Sequence, residues 1–195
     1  MRTETVTRTI YTYAELMDSE QVSGRAKEKA KEWLSNATYN PELVTESIET
    51  AAQEVLGDKA NVNILGWDAD RGQSVDFDAE FPTPLPGSEW EGAPTLDLPG
   101  EYRVFDTTSV RRDYGWDFAV CYLDEDGLWR DLWPDDNEES ESIYEKVRDF
   151  LREFEGWLVS IAVSEIDWLL SDECIANYAE DNGFEFDADG DPVFV

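Results

Sequence analysis

Histidine is absent from the 195 residues, bases number only 15 against 46 acids, and there are just two cysteines. Each shortage excludes something. Without histidine, the commonest general base and the commonest metal ligand are missing, and Cys121 and Cys174 cannot by themselves supply the four ligands of a structural zinc site. Both cysteines stand in apolar runs, Ala119-Val120-Cys121-Tyr122 and Glu173-Cys174-Ile175-Ala176, and read as reduced, buried thiols. No run of ~18 apolar residues occurs, so no membrane-crossing helix is expected. The start, Met1-Arg2-Thr3-Glu4-Thr5-Val6-Thr7, is polar and alternating and lacks the apolar segment of a secretory leader, which points to the cytoplasm.

What is present is acid and apolar bulk. The net charge is -31, yet 41% of the residues are hydrophobic and 13% aromatic, enough to bury a core. A single α+β domain spanning residues 1–195 is the expectation from length. Such a charge repels phosphate backbones and anionic lipid, so neither nucleic acid nor a membrane surface is a suitable direct partner. A cationic protein surface is.

The acid is not spread evenly. Residues 1–66 carry a net charge of -4, residues 67–110 carry -8 and residues 111–195 carry -19; after Arg152 no base follows. Ten Arg against five Lys with 22 Asp also fits a protein of ordinary function adapted to high salt. Such a bias should cover every surface, whereas a gradient along the chain favours a specific acidic face.

Periodicity orders the elements. Thr5–Tyr13 is rich in β-branched and aromatic residues and reads as a strand. Ala26, Ala30, Trp33 and Leu34 recur at helical spacing, giving a helix over about 23–36. Asn40 and Pro41 open a second helix whose stripe is Val44, Ile48, Ala51, Ala52 and Val55, stopped by Gly57. Val62–Trp67 and Gln73–Phe81 flank the turn composition Asp68-Ala69-Asp70-Arg71-Gly72 and should pair as a hairpin. Residues 82–100 hold Pro82, Pro84, Pro86, Pro94 and Pro99 with three glycines and read as a surface excursion. Strands follow at about 102–107, 116–123 and 128–133. A helix then runs over about 139–154 with Ile143, Val147, Phe150, Leu151 and Phe154 inward, and its continuation through Trp157, Ile161, Ile166, Trp168 and Leu169 reads as largely buried. Phe184-Glu185-Phe186, the turn Asp187-Ala188-Asp189-Gly190 and Val193-Phe194-Val195 form a terminal hairpin. The class is therefore α+β, with a mostly antiparallel sheet, helices on one face and a C-terminal β-hairpin.

Three acidic rows carry the functional signal. Along 75–81, Asp76, Asp78 and Glu80 alternate with apolar residues, placing three carboxylates ~6.6 Å apart on one strand face. Glu141, Glu145, Asp149 and Glu153 recur every fourth residue, a helical row with ~6 Å steps opposite the apolar stripe. Glu185, Asp187, Asp189 and Asp191 repeat the strand pattern. Like charges in such rows repel, by a few tenths of a kcal/mol per pair. Duplex DNA carries one charge per ~1.7 Å, so 31 charges match ~53 Å of duplex, and a compact chain of this length is ~40 Å across. The charge is of the right order to replace a DNA segment.

Metal and catalytic readings find little support. Asp187, Asp189 and Asp191 imitate the start of a calcium loop, but its glycine is misplaced at 190 and no bidentate Glu can follow. Gly-x-Ser-x-Gly, phosphate-loop and dinucleotide motifs are absent, and Pro134-Asp135 lacks the Asp/Glu-x-Lys of a nuclease core, since Tyr144 stands two before Lys146. No catalytic residue, metal or cofactor is assigned. Trp67, Trp90, Trp116, Trp129 and Trp133 lie among acids, which suits core packing or a protein interface better than base stacking.

The segments Ile10-Tyr11-Thr12-Tyr13-Ala14-Glu15-Leu16 and Ala26-Lys27-Glu28-Lys29-Ala30-Lys31-Glu32-Trp33, with the closing Gly183-Phe184-Glu185-Phe186-Asp187-Ala188-Asp189-Gly190, resemble a group of small phage and prophage proteins, some of them antitoxin-like. The resemblance covers about 40 residues at the two ends and implies a mobile-element origin. With the charge, it suggests an inhibitor similar in principle to acidic anti-restriction and anti-CRISPR proteins. On that reading the three rows act as phosphate surrogates on the Lys/Arg-rich surface of a host nucleic-acid-binding complex, with Trp90, Trp129 and Trp133 fixing register. The alternative is an antitoxin-like module that binds one protein through its exposed aromatics.

Overall fold

The computed structural model describes residues 9–69, 73–107, 118–134 and 136–193. Parts of the expected first strand (5–8), of the turn at 68–72, of the strand opening at Trp116, and the final Phe194-Val195 lie outside the described residues, as does Asp135. Among the described residues the elements are β1 (Ile10–Thr12), α1 (Tyr13–Asp18), α2 (Gly24–Thr38), α3 (Pro41–Leu56), β2 (Asn61–Asp68), β3 (Ser74–Pro82), β4 (Tyr102–Thr107), β5 (Phe118–Leu123), β6 (Trp129–Leu132), α4 (Glu138–Leu169), α5 (Asp172–Asp181), β7 (Glu185–Asp187) and β8 (Pro192–Val193). The fold is α+β. The chain divides into two compact units, one of residues Glu42–Glu165 and one of Met1–Pro41 with Ile166–Val195.

In the larger unit, β2 to β6 form a five-stranded antiparallel sheet in chain order. Period-two alternation on β3 buries Val75, Phe77, Ala79 and Phe81 on one face. Against that face lies α4: Phe154 meets Phe77 edge-on at 5.4 Å, and Phe150 meets Phe81 at 5.7 Å. From α3, the Thr45 hydroxyl accepts from the Trp67 indole N–H at 3.1 Å. Residues 83–101, with Thr83-Pro84 in the cis form, contain no helix or strand.

One expectation for α4 needs correction. Trp157 and Leu169 are buried, but Ile161 and Ile166 are only half-buried and Trp168 is 48% exposed. The reason is direction: the buried face there runs through Leu158, Ala162 and Leu169, and at ~100° per residue Ile161, Ile166 and Trp168 fall at its edges or beyond.

The smaller unit is built on β1-β7-β8, with Tyr11 opposite Phe186. Tyr13, Leu16, Ala26, Ala30, Leu34, Ile175 and Phe186 share its core. Thr12 caps α1 reciprocally with Glu15: the Glu15 amide donates to Thr12 Oγ1 at 3.3 Å and the Thr12 amide to Glu15 Oε2 at 2.9 Å. Ser23 and Ser171 cap α2 and α5, accepting from the Ala26 and Cys174 amides.

Candidate functional site

The helical row emerges most clearly. Glu141, Glu145, Asp149 and Glu153 are all exposed, while Ile143, Val147, Phe150, Leu151 and Phe154 are buried. At ~100° per residue the mean directions of the two sets differ by ~160°, so the carboxylates point away from the sheet over ~18 Å of helix. Glu141, with Glu138 and Glu139, sits in the first turn, where acid complements the helix dipole. Helix stability gives no such reason for Glu145, Asp149 and Glu153. Arg152 reaches Asp149 at only 3.8 Å with both side chains largely in water, a pairing of little strength.

The strand row is on the opposite side of the same unit. Asp76, Asp78 and Glu80 occupy the β3 face turned away from α4 and are half-buried. Glu80 pairs with Arg103 at 3.6 Å, and the Arg103 guanidinium lies over the Trp129 ring at 4.9 Å. The larger unit thus carries acid on both outer surfaces of its sheet and helix layers. Each row could be placed on its own element from spacing; their opposition follows only from α4 packing on the β3 apolar face.

In the smaller unit the closing acids serve the hairpin. Asp187 Oδ1 accepts from the amides of Asp189 and Asp191, both at 3.0 Å, and Asp191 pairs with Lys29. Glu185 is half-buried opposite Thr12 and Val193. Asp189 is exposed and, among the described residues, its carboxylate has no such engagement. Among the described residues no group of His, Cys, Asp or Glu could hold a metal ion.

The three tryptophans differ in role. Trp90 donates its indole N–H to Glu54 Oε2 at 2.6 Å and packs edge-on to Trp157 at 6.0 Å, which anchors the 83–101 excursion. Trp129 is held by Arg103. Trp133 is 62% exposed just past β6, at the opposite end of that strand from Trp129, while Leu123, Leu128 and Trp129 are exposed around the β5–β6 turn. Trp116 is outside the described residues. These tryptophans have a composition signal in Leu128-Trp129 and Leu132-Trp133, but no periodicity marks them as exposed.

Neither cysteine is fully buried, in contrast to the expectation; both are unbridged and half-buried. Alternation on β5 puts Val120 inward and Cys121 on the outer face, directly across from Asp131. The Cys121 thiol donates to Asp131 Oδ1 at 3.3 Å. Burial, then that hydrogen bond and the negative charge of Asp131, push the thiol pKa up. Since the thiolate is the nucleophile, Asp131→Asn should speed alkylation of Cys121 by iodoacetamide at pH 8 several-fold; an unchanged rate in a peptide-resolved labelling experiment would refute this.

On the turn of that hairpin, Asp124 is held below the usual carboxylate range by the Arg130 guanidinium at 2.8 Å and by the Leu128 and Asp126 amides. Among the described residues no helix is long and apolar enough to cross a membrane. No protein-family model, curated protein or solved structure matches the chain.

Proposed function

We propose that the chain is a cytoplasmic, phage- or mobile-element-type inhibitor that docks on the Lys/Arg-rich surface of a host nucleic-acid-binding complex in place of the nucleic acid. The observation that carries this reading is the exposed α4 row, four carboxylates at ~6 Å steps on a chain of net charge -31. A duplex presents phosphate on every side, and the larger unit likewise carries acid on both outer surfaces. A channel or cleft that surrounds DNA would meet both rows; a flat cationic surface would meet one. No catalytic step is assigned to the chain.

A second element supports a protein partner. Exposed apolar side chains at both ends of the β5–β6 hairpin, Leu123, Leu128 and Trp129 near its turn and Trp133 past its far end, are of the type that supplies binding hot spots. On this reading the acid rows set the encounter rate and the tryptophans the lifetime of the complex. If the hairpin alone made the contact, the antitoxin-like alternative would follow: Trp129→Ala and Trp133→Ala would abolish binding, and charge changes on α4 would leave it intact.

The reading requires steep salt dependence. Between low salt and 0.5 M the association rate constant with the captured partner should fall by about 10-fold or more, because exposed charges are screened within ~10 Å at 0.1 M. A rate that does not change across this range would refute it. A melting temperature that climbs steadily with molar salt would instead support the salt-adapted alternative.

A further inference from the structure

Outside the rows, α3 and α4 flank a groove of about 370 Å³ in the larger unit. Leu43, Glu46 and Ser47 line it from one face of α3, Ile161 and Glu165 from α4, and Trp90 from the excursion. Leu43, Ile161 and the indole ring provide apolar walls, and two carboxylates stand among them. Among the described residues no Lys or Arg lines the groove, and neither Glu46 nor Glu165 is ion-paired. The indole is fixed at both ends, by the hydrogen bond to Glu54 and the edge contact with Trp157, so this wall exists before any guest arrives and costs little ordering on binding.

We infer that this groove receives an arginine side chain of the basic partner. An arginine is apolar along its methylene stem and cationic at its planar head. Leu43 and Ile161 suit the stem; the Trp90 face and the Glu46 and Glu165 carboxylates suit the guanidinium, which stacks on indole better than a strongly hydrated ammonium does. An anionic guest would be repelled by both carboxylates, and a purely apolar one would strip water from them without replacing it. The inference rests on the reading of the chain as a binder of a basic protein, and it adds where a single cationic side chain is recognised. The α4 row attracts cations at a distance, whereas the groove selects by shape.

The test is a nuclear magnetic resonance titration with N-acetyl-arginine amide, against N-acetyl-citrulline amide as its neutral isostere. The arginine compound should shift the Trp90 indole and Ser47 amide signals saturably, and the citrulline compound should not. The double variant Glu46→Gln/Glu165→Gln should weaken the binding at least about fivefold, while Glu145→Gln/Asp149→Asn, which removes the same charge from the α4 row, should weaken it less than twofold. Equal shifts with citrulline, equal losses in the two double variants, or no saturable shift at Trp90 would each overturn the inference. A partner that duplex DNA fails to displace would sink the functional reading and leave the groove result standing, so the two failures are separable.

Discussion

Replacing Glu141, Glu145, Asp149 and Glu153 together by lysine lowers the association rate constant with the cationic partner by about 10- to 100-fold at low ionic strength, the range over which steered association responds to charge. All four side chains are exposed, and lysine matches glutamate in helix propensity. The cost to the fold is a few tenths of a kcal/mol at Glu141, where a cation in the first turn opposes the helix dipole, and of similar size at Asp149, where a cation would face Arg152 in place of the present weak pair. The control reverses Glu20, Glu28, Glu32 and Glu49, which are also exposed. Both sets change the net charge equally. If only bulk charge matters, the two variants slow to the same degree; if the row is the docking surface, the α4 variant slows far more. Stopped-flow mixing at 20 mM and 200 mM salt separates the two outcomes, and equal slowing would remove the row from the account.

Gly190→Ala should be the most damaging single methyl in the smaller unit. Gly190 sits in the β7–β8 turn at φ +77°, and a Cβ there would lie 2.1 Å from the backbone oxygen of Ala26 on α2. Neither group is a flexible side-chain end, so helix or hairpin must shift. The left-handed conformation alone costs ~1 kcal/mol in alanine, and displaced backbone brings the total to about 3 kcal/mol or more. For a chain of this size that is a fall in melting temperature of roughly 6–12 °C. Gly183→Ala is the matched control: φ is +62° but nothing lies within 4 Å of its Cβ, so only the conformational term of ~1 kcal/mol applies. Equal melting temperatures for the two variants would show that α2 and the hairpin are not in the contact described.

The patterning of the chain carried much of this fold because buried and exposed positions alternate cleanly on several elements. Val75–Phe81 holds its period of two, and Val44, Ile48, Ala51, Ala52 and Val55 hold a helical one; each has one face in a core. The elements that escaped are short or are marked only by caps. Thr12-Tyr13-Ala14-Glu15 is a capping-box signature that opens α1 directly from β1, and β-branched and aromatic neighbours hide it. Ser171, followed by Asp172 and Glu173, marks the start of α5 in the same way.

The candidate site was legible in part. Spacing alone placed the carboxylates of Glu141 to Glu153 on one face of a helix, because a helical row is a local property. That Asp76, Asp78 and Glu80 face the other way is a tertiary property, set by Phe77 and Phe81 meeting Phe154 and Phe150. Likewise, Trp90 looked like a free anchor, yet its indole is bound by Glu54, 36 residues away in sequence. Asp187, read as one of a row of surrogates, has its carboxylate occupied by two amides of its own turn. Local pattern reports which side of an element is polar; it does not report which polar groups are already engaged.

The most direct test of the central claim is displacement. The partner captured from a host lysate on the immobilised chain is challenged with a duplex of about 16 base pairs, the length that matches ~53 Å of phosphate charge. If the chain occupies a nucleic-acid-binding surface, the duplex releases the partner in a dose-dependent way, and an uncharged polymer of similar size does not. A partner that keeps its grip on the chain while binding duplex DNA at the same time would contradict the account.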